Sequence, residues 1–286
     1  MNRKKYAVFT MDVESFADTE CISASGIAVE NDLMDGLDEY INILNRYNIK
    51  CTLFTVGKLA GRIADRLRTH IGNGHMLALH SYEHVAPVQV PLEKFREETR
   101  RAKQRMKELF GIEVKGFRAP CFSMDKARLK VLKELGFNYD SSHLDYLPAR
   151  HTVKLDLQNF QQVCRDVFRD GDFYEFGLSK EKVFGRPFPI SGGGYVRLSH
   201  WGFVKTLIRH HIRENDYYVF YLHPFELTKQ KVPFLKELKS YDKYYIRQGI
   251  RTYGQRIEKI ISMLKGNGYE FVTFEQLVQI MEQERV

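Results

Sequence analysis

Cysteine is scarce in this chain of 286 residues. Cys21, Cys51, Cys121 and Cys164 stand far apart with no C-x-x-C among them. Thiols so scattered exclude a disulfide framework and a zinc knuckle, and suit reduced side chains. Long apolar runs are missing too, and nothing approaches the ~18 uninterrupted apolar residues that suggest a transmembrane helix. The basic start, Met1 to Lys5, runs through Tyr6–Met11 straight into Asp12 and Glu14, without the apolar region or small-residue cleavage site of a secretory leader. The expectation is a cytoplasmic protein, soluble or peripheral. Internal repeats and low-complexity segments are absent. Gly192-Gly193-Gly194 lacks the Gly-Lys-Ser/Thr ending of a phosphate-binding loop, so phosphate cradling is not expected there.

What is present points to a packed α/β protein. Apolar residues make up 43% and aromatic residues 13%, enough for one large core, and α/β barrels routinely reach about 250 residues as a single domain. The formal net charge of +8 favours anionic surroundings, such as peripheral contact with an anionic membrane or a phosphate-bearing substrate. Solvated helix faces that sum positive would give the same figure. Nucleic acid is not expected, because the basic residues are interleaved with acids and no zinc finger or RNA-recognition motif occurs. The oligomeric state is not legible.

Lys5–Met11, Cys51–Val56, Met76–Leu79, Val114–Phe117, Phe137–Tyr139, Tyr217–Leu222 and Tyr269–Val272 read as strands. Helical patterns lie between them, at 33–47, 57–71, 91–109, 126–135, 200–213 and 241–265. Thr273 with Gln276 makes a capping box for a last helix. Strand and helix in alternation is the rhythm of a parallel sheet, here a single distorted (β/α) barrel of about seven or eight parallel strands. Residues 1–286 read as one catalytic domain, with an irregular insertion at about 144–198 that carries Pro148, Pro187, Pro189 and the triple glycine.

The stretch His75-Met-Leu-Ala-Leu-His80-Ser-Tyr-Glu-His84 organises the chain, since an apolar strand ends directly in two histidines four apart. One turn of helix there would put His80 and His84 on one face, where two imidazoles grip a divalent metal if a carboxylate joins them. Asp12, His80, Arg118, Asp140 and His223 all follow strand-like runs, which gathers them at the C-terminal face of a parallel barrel.

These residues carry a resemblance. Asp12-Val-Glu14, His80-Ser-Tyr-Glu-His84, Arg118-Ala-Pro-Cys-Phe122, Asp140-Ser-Ser142 and Leu222-His223 together resemble the five motifs of the NodB-type polysaccharide deacetylases, the family-four carbohydrate esterases, over residues 5 to about 275. Asp-Val-Glu, Ser191-Gly-Gly-Gly-Tyr195 and His223-Pro-Phe-Glu226 look like a branch tied to exopolysaccharide or surface-glycan biosynthesis. The resemblance implies a metal, usually Zn2+, held by His80, His84 and a carboxylate. The family's usual second aspartate is replaced by Val13. Glu14 is the candidate ligand, with Asp12 as general base toward water, and alternate residues of an extended strand can both face the site. The rival assignment gives the metal to Asp12.

The resemblance further implies that Arg118 pairs with Asp12 and that the Cys121 backbone N–H meets the oxyanion, the thiol itself only packing. His223 would protonate the leaving amine, with Asp140 holding it charged. At the fourth motif Ser142-His143 stands where an Asp-Trp pair is common. Trp201 reads as packing before sugar stacking, and His75, His151, His200, His210 and His211 as structural or exposed.

The implied activity is metal-dependent removal of an N-acyl group, acetyl foremost, from an amino sugar in a glycan, a lipid-linked or a nucleotide-linked precursor reachable from the cytoplasm. A metal-free amide or ureide hydrolase of the same fold and a non-catalytic glycan-binding subunit are the alternatives. A glycosyltransferase built on Asp12-Val-Glu14 is disfavoured, since only eleven residues precede Asp12.

Overall fold

In the computed structural model, which describes residues 4–145, 153–233 and 235–285, the twelve strands are β1 Lys5–Val13, β2 Thr52–Thr55, β3 Met76–Leu79, β4 Gly116–Phe117, β5 Tyr139–Asp140, β6 Gln161–Cys164, β7 Val167–Asp170, β8 Phe173–Phe176, β9 Lys180–Val183, β10 Arg186–Pro189, β11 Tyr217–Phe220 and β12 Tyr269–Val272. Pro148 and His151 lie outside the described residues. β1 is apolar on both faces, as a strand covered on both sides must be. Its first half pairs in parallel with β11 and β12, its second half with β2. From β2 the parallel ladder runs through β3, β4 and β5 to β8.

The expected barrel is corrected in one respect: the sheet is open. Eight strands take part in parallel pairs, but β7 and β6 extend the edge antiparallel beyond β8, and β8 does not pair with β11. The gap is spanned by isolated backbone contacts: Ile190 N–H donates to the Ser179 carbonyl (3.1 Å), and Gly192 forms a lone parallel bridge with Tyr221, whose N–H donates to the Ser191 carbonyl (2.7 Å) and whose carbonyl accepts from Gly193 N–H (2.9 Å). Residues 153–198, within the stretch 144–198, cause this. Expected as irregular, they supply β8 to the main sheet and the separate β9–β10 hairpin, so the chain takes a long route before β11.

Helices cover the sheet. In the helix Asp35–Arg46 the buried face is Leu37, Tyr40, Ile41 and Leu44, at the spacing of an amphipathic helix. Lys126–Glu134 begins at Asp125, whose carboxylate accepts from Arg128 N–H (2.9 Å), and Phe274–Gln283 begins at the Thr273–Gln276 capping box. Two expected helices are each broken. Residues 57–71 form Gly57–Ala60 and Ala64–Gly72, and the stretch 241–265 breaks at Gly249 (φ 79°) into Ser240–Tyr245 and Ile250–Lys265. A side chain on Gly249 would meet the Arg197 carbonyl, so that turn needs glycine twice over. Among the described residues, no helix is long and apolar enough to cross a membrane.

Because the strands of the main ladder run one way, the residues that follow β1, β3, β4 and β11 collect at one end. There they border a cleft of about 970 Å³.

Candidate metal centre and cleft

Asp12 and Glu14 leave the end of β1 on the same side, as alternate residues of extended chain do, and both are buried. Glu14 meets two imidazoles: its Oε2 lies 2.7 Å from His84 Nε2 and 3.6 Å from His80 Nε2. One ligand atom from each of Glu14, His80 and His84 falls within 4.8 Å of the others. His80 Nδ1 is 2.8 Å from the Arg118 carbonyl. A carbonyl only accepts, so Nδ1 carries a proton and Nε2 is the nitrogen turned toward Glu14 and left to ligate a metal, the arrangement found behind metal-ligating histidines.

The helical turn expected at 80–84 does not form. Ser81 (φ 61°) and His84 (φ 58°) are left-handed, and Ser81 Oγ accepts from His84 N–H (3.0 Å). The loop still brings the rings to 5.1 Å. Of the eight non-glycine residues with positive φ among those described, Ser81, His84, Cys121 and Phe122 sit in the two loops at this end of the sheet, a concentration typical of functional sites.

Charge follows contact. Burial opposes ionisation of Glu14, yet His84 and His223 hold its carboxyl well below the usual range. Burial likewise opposes charge on His84, and Glu14 overrides it and raises the imidazole. One carboxylate oxygen and two imidazole nitrogens so close together fit a divalent ion of the zinc type, which would take the place of a proton on His84 facing Glu14.

Arg118, fully buried at the end of β4, donates to Asp12 Oδ1 (2.7 Å), Thr10 Oγ1 (2.8 Å), and the Ser141 carbonyl (3.1 Å) and hydroxyl (2.9 Å). Its guanidinium lies 4.1 Å from the Phe54 ring centre. A planar fork with every edge engaged fixes the carboxylate it grips. Asp12 itself lines the cleft.

The expectation that Asp140 holds His223 is corrected. His223 Nδ1 faces Glu226 Oε2 (3.1 Å), which also accepts the His223 backbone N–H (3.0 Å). Glu226 is fully buried, and its other oxygen accepts from Arg197 Nε (2.8 Å). Burial works against charge on His223, but Glu14, Glu226 and Asp12 push its pKa up to about 9. Glu226 was legible in principle, since a cap residue, a proline and an acid at the third helical position form a capping box. Arg197 had no such local signal.

Asp140 instead faces Glu175, its register neighbour on β8. Both are fully buried, and no other described residue hydrogen-bonds Asp140 Oδ2 or Glu175 Oε2, which leaves the two carboxyl groups to each other. Burial is the first cause of the shifts here, taking Asp140 up to about 7 and Glu175 well above its usual range, so the pair shares a proton at neutral pH. The pair supports loops rather than substrate. Ser142 Oγ donates to Asp140 Oδ1 (2.9 Å) and accepts from Ala119 N–H (2.8 Å), while Glu175 Oε1 accepts from Ser142 and His143 N–H.

Cys121 lines the cleft in the left-handed turn after Arg118, and burial pushes its thiol up to about 12, unfit for a nucleophile. Trp201 lies beside Arg256 and Lys259 and does not line the cleft. His75 contacts Cys51, His210 and His211 contact Glu181, and His200 is exposed.

Residues 27–139 match the polysaccharide deacetylase family model, and residues 146–279 match a domain of unknown function, DUF3473. The chain is 23% identical over 115 residues to a peptidoglycan deacetylase of Helicobacter pylori, covering 40% of this chain and 39% of that one, so it spans well under two thirds of that relative. In fold it is similar to a candidate polysaccharide deacetylase from Mycobacterium smegmatis (TM-score 0.63, 18% identity, 100% of this chain and 93% of that one). It is also similar to a pseudoenzyme of the family-four carbohydrate esterases from Bacillus anthracis (TM-score 0.53, 12% identity, 97% and 66%).

Proposed function

We propose that this chain, which carries a polysaccharide deacetylase domain, is a metal-dependent hydrolase that removes an N-acyl group, acetyl foremost, from an amino sugar of a surface glycan or its precursor. One observation carries the reading: Glu14, His80 and His84 offer a metal site in the same cleft as an arginine-held Asp12 and a glutamate-held His223. Similarity to a pseudoenzyme means that fold alone does not decide activity, and this residue set is the reason to expect it.

A divalent ion held by Glu14, His80 and His84 would supply Lewis acidity, polarising the acyl oxygen and making water easier to deprotonate. Asp12, whose Oδ1 Arg118 engages, would take the proton of the attacking water. The Cys121 backbone N–H is assigned to the oxygen that gains charge as the carbon becomes tetrahedral. With Nδ1 turned to Glu226, His223 has Nε2–H to give the nitrogen as the C–N bond breaks, so that a carboxylic acid and an amine leave.

The test is amine release from N-acetylated amino sugars by purified protein, before and after chelation and after zinc is restored, with metal content measured alongside. Activity that falls with the metal and returns with it is expected. Undiminished turnover by metal-free protein would instead favour a metal-independent hydrolase.

A further inference from the structure

The β9–β10 hairpin takes no part in the chemistry above. Its turn is two residues long, Phe184-Gly185, between the register pair Val183 and Arg186. Both turn residues have positive φ, 48° and 77°, as a tight hairpin turn requires. Glycine adopts that backbone freely and asparagine at little cost, but a bulky side chain is strained there. Phenylalanine fills the position all the same. Its ring is fully exposed, so packing within the chain does not offset the strain.

The hairpin lies against the helix Trp201–Glu214, where Phe188 meets Phe203 edge-on at 5.2 Å and Glu181 contacts His210 (3.2 Å) and His211 (2.8 Å). From Lys180 to Arg213 the chain has seven lysines and arginines against one acid, Glu181. Lys180 pairs with Asp166, Arg197 pairs with Glu226, and Arg165 joins the two histidines at Glu181. Lys182, Arg186, Lys205, Arg209 and Arg213 form no ion pair among the described residues, and all but the half-buried Lys205 are exposed. An exposed apolar ring therefore stands at the tip of a surface rich in unpaired cations.

A lipid surface suits such a tip better than a protein does. Pro187 and Pro189 remove two N–H donors from β10, so that strand is a poor template for a strand of a second copy. One ring on a two-residue turn offers far less than the ~800 Å² that each partner contributes to a standard protein interface. A bilayer needs no matching groove. Anionic headgroups attract lysine and arginine, and an apolar ring enters the boundary beneath them.

We infer that the β9–β10 hairpin docks the protein on an anionic lipid surface, with Phe184 entering the headgroup region and Lys182, Arg186, Arg209 and Arg213 meeting lipid phosphates. The inference does not depend on what the cleft hydrolyses.

The test is sedimentation of the 286-residue protein with vesicles of phosphatidylcholine alone and of an equal mixture of phosphatidylcholine and phosphatidylglycerol. Binding to the mixed vesicles and not to the neutral ones is expected, weakening as salt is raised. Lys182→Ala and Arg186→Ala should each weaken it roughly fivefold, the share of one cation near an anionic surface. Phe184→Asn should weaken it at least about tenfold, because the apolar ring is lost. The same variant should resist denaturant as well as the parent or better, since asparagine suits the turn. Phe184→Trp combined with Trp201→Phe keeps one tryptophan in the chain, and its emission should move to shorter wavelength on the mixed vesicles.

Equal binding to neutral vesicles, or binding to neither kind, would overturn the inference. So would binding that Phe184→Asn leaves unchanged, or tryptophan emission that does not move on bound vesicles. A dimer, or a complex with double-stranded DNA, that Phe184→Asn abolishes while the parent protein ignores vesicles would assign the tip to a second copy or to nucleic acid instead.

Discussion

Asp12 near the end of β1 and Asp140 at the end of β5 belong to one parallel ladder and both are buried, yet one faces a guanidinium and the other a second carboxyl group. Arg118 gives Asp12 a charge-assisted bond at the edge of the cleft. Glu175 gives Asp140 a hydrogen bond but no opposite charge, too little to offset burial, and the two share a proton. Strand position alone therefore does not assign a role. The partner does, and the comparison extends to His223, whose partner is Glu226 backed by Arg197 rather than Asp140.

The largest effect expected is at the metal end. His84→Ala should lose the bound ion and slow amide hydrolysis on the order of 10³-fold, since several kcal/mol of charge stabilisation leave with the ion, while circular dichroism stays native. Glu14→Ala should also lose the metal and Asp12→Asn should keep it. The reverse outcome, by elemental analysis, would exchange the two carboxylates' roles.

Next comes Arg118→Met, which strands Asp12, Thr10 and Ser141. Breaking a buried pair from one side should cost about 3–5 kcal/mol in denaturant unfolding. A neutral result would mean that the Asp12–Arg118 pair is not buried as described.

His223→Ala should slow amides ~10²–10⁴-fold but activated aryl acetates far less, because only the amine needs a proton to leave. A general acid must be protonated, so activity should fall as pH rises through the His223 pKa, which neighbouring carboxylates raise above the usual imidazole value. Glu226→Gln removes a charge that raises His223 and should move that limb to lower pH. An unmoved limb would detach Glu226 from the acid.

The smallest effect has the opposite sign to the arginine substitution. Asp140 has a folded pKa above its unfolded value, so the native state holds the extra proton and stability declines as pH rises from about 4 through 7. Asp140→Asn keeps the acceptor for Ser142 and offers Glu175 an N–H donor. It should flatten that decline and raise stability at pH 8 on the order of 1–3 kcal/mol. Destabilisation at pH 8 would show that the pair is an ordinary hydrogen-bonded support and not a shared-proton couple.

Much of the frame is local and so could be read from the chain. Alternation puts Asp12 and Glu14 on one side, apolar runs mark the strands before His80, Arg118 and His223, and parallel strands gather their carboxyl ends whatever the connections do. The rest depends on residues that meet only in the folded state. Glu175 sits in a stretch without a clear period, 35 residues past Asp140. Arg197 reaches Glu226 across 29 residues, and the left-handed loop that brings His84 to Glu14 stands in place of the helical turn that the spacing suggested. Whether the sheet closes also lay beyond local pattern, because it turns on how residues 144–198 travel between β5 and β11. Sequence periodicity determined which side chains arrive at the cleft, since it reflects a residue's own strand. Only tertiary structure decided which charge each one meets, since partners come from other strands and a buried charge is settled by its nearest neighbours.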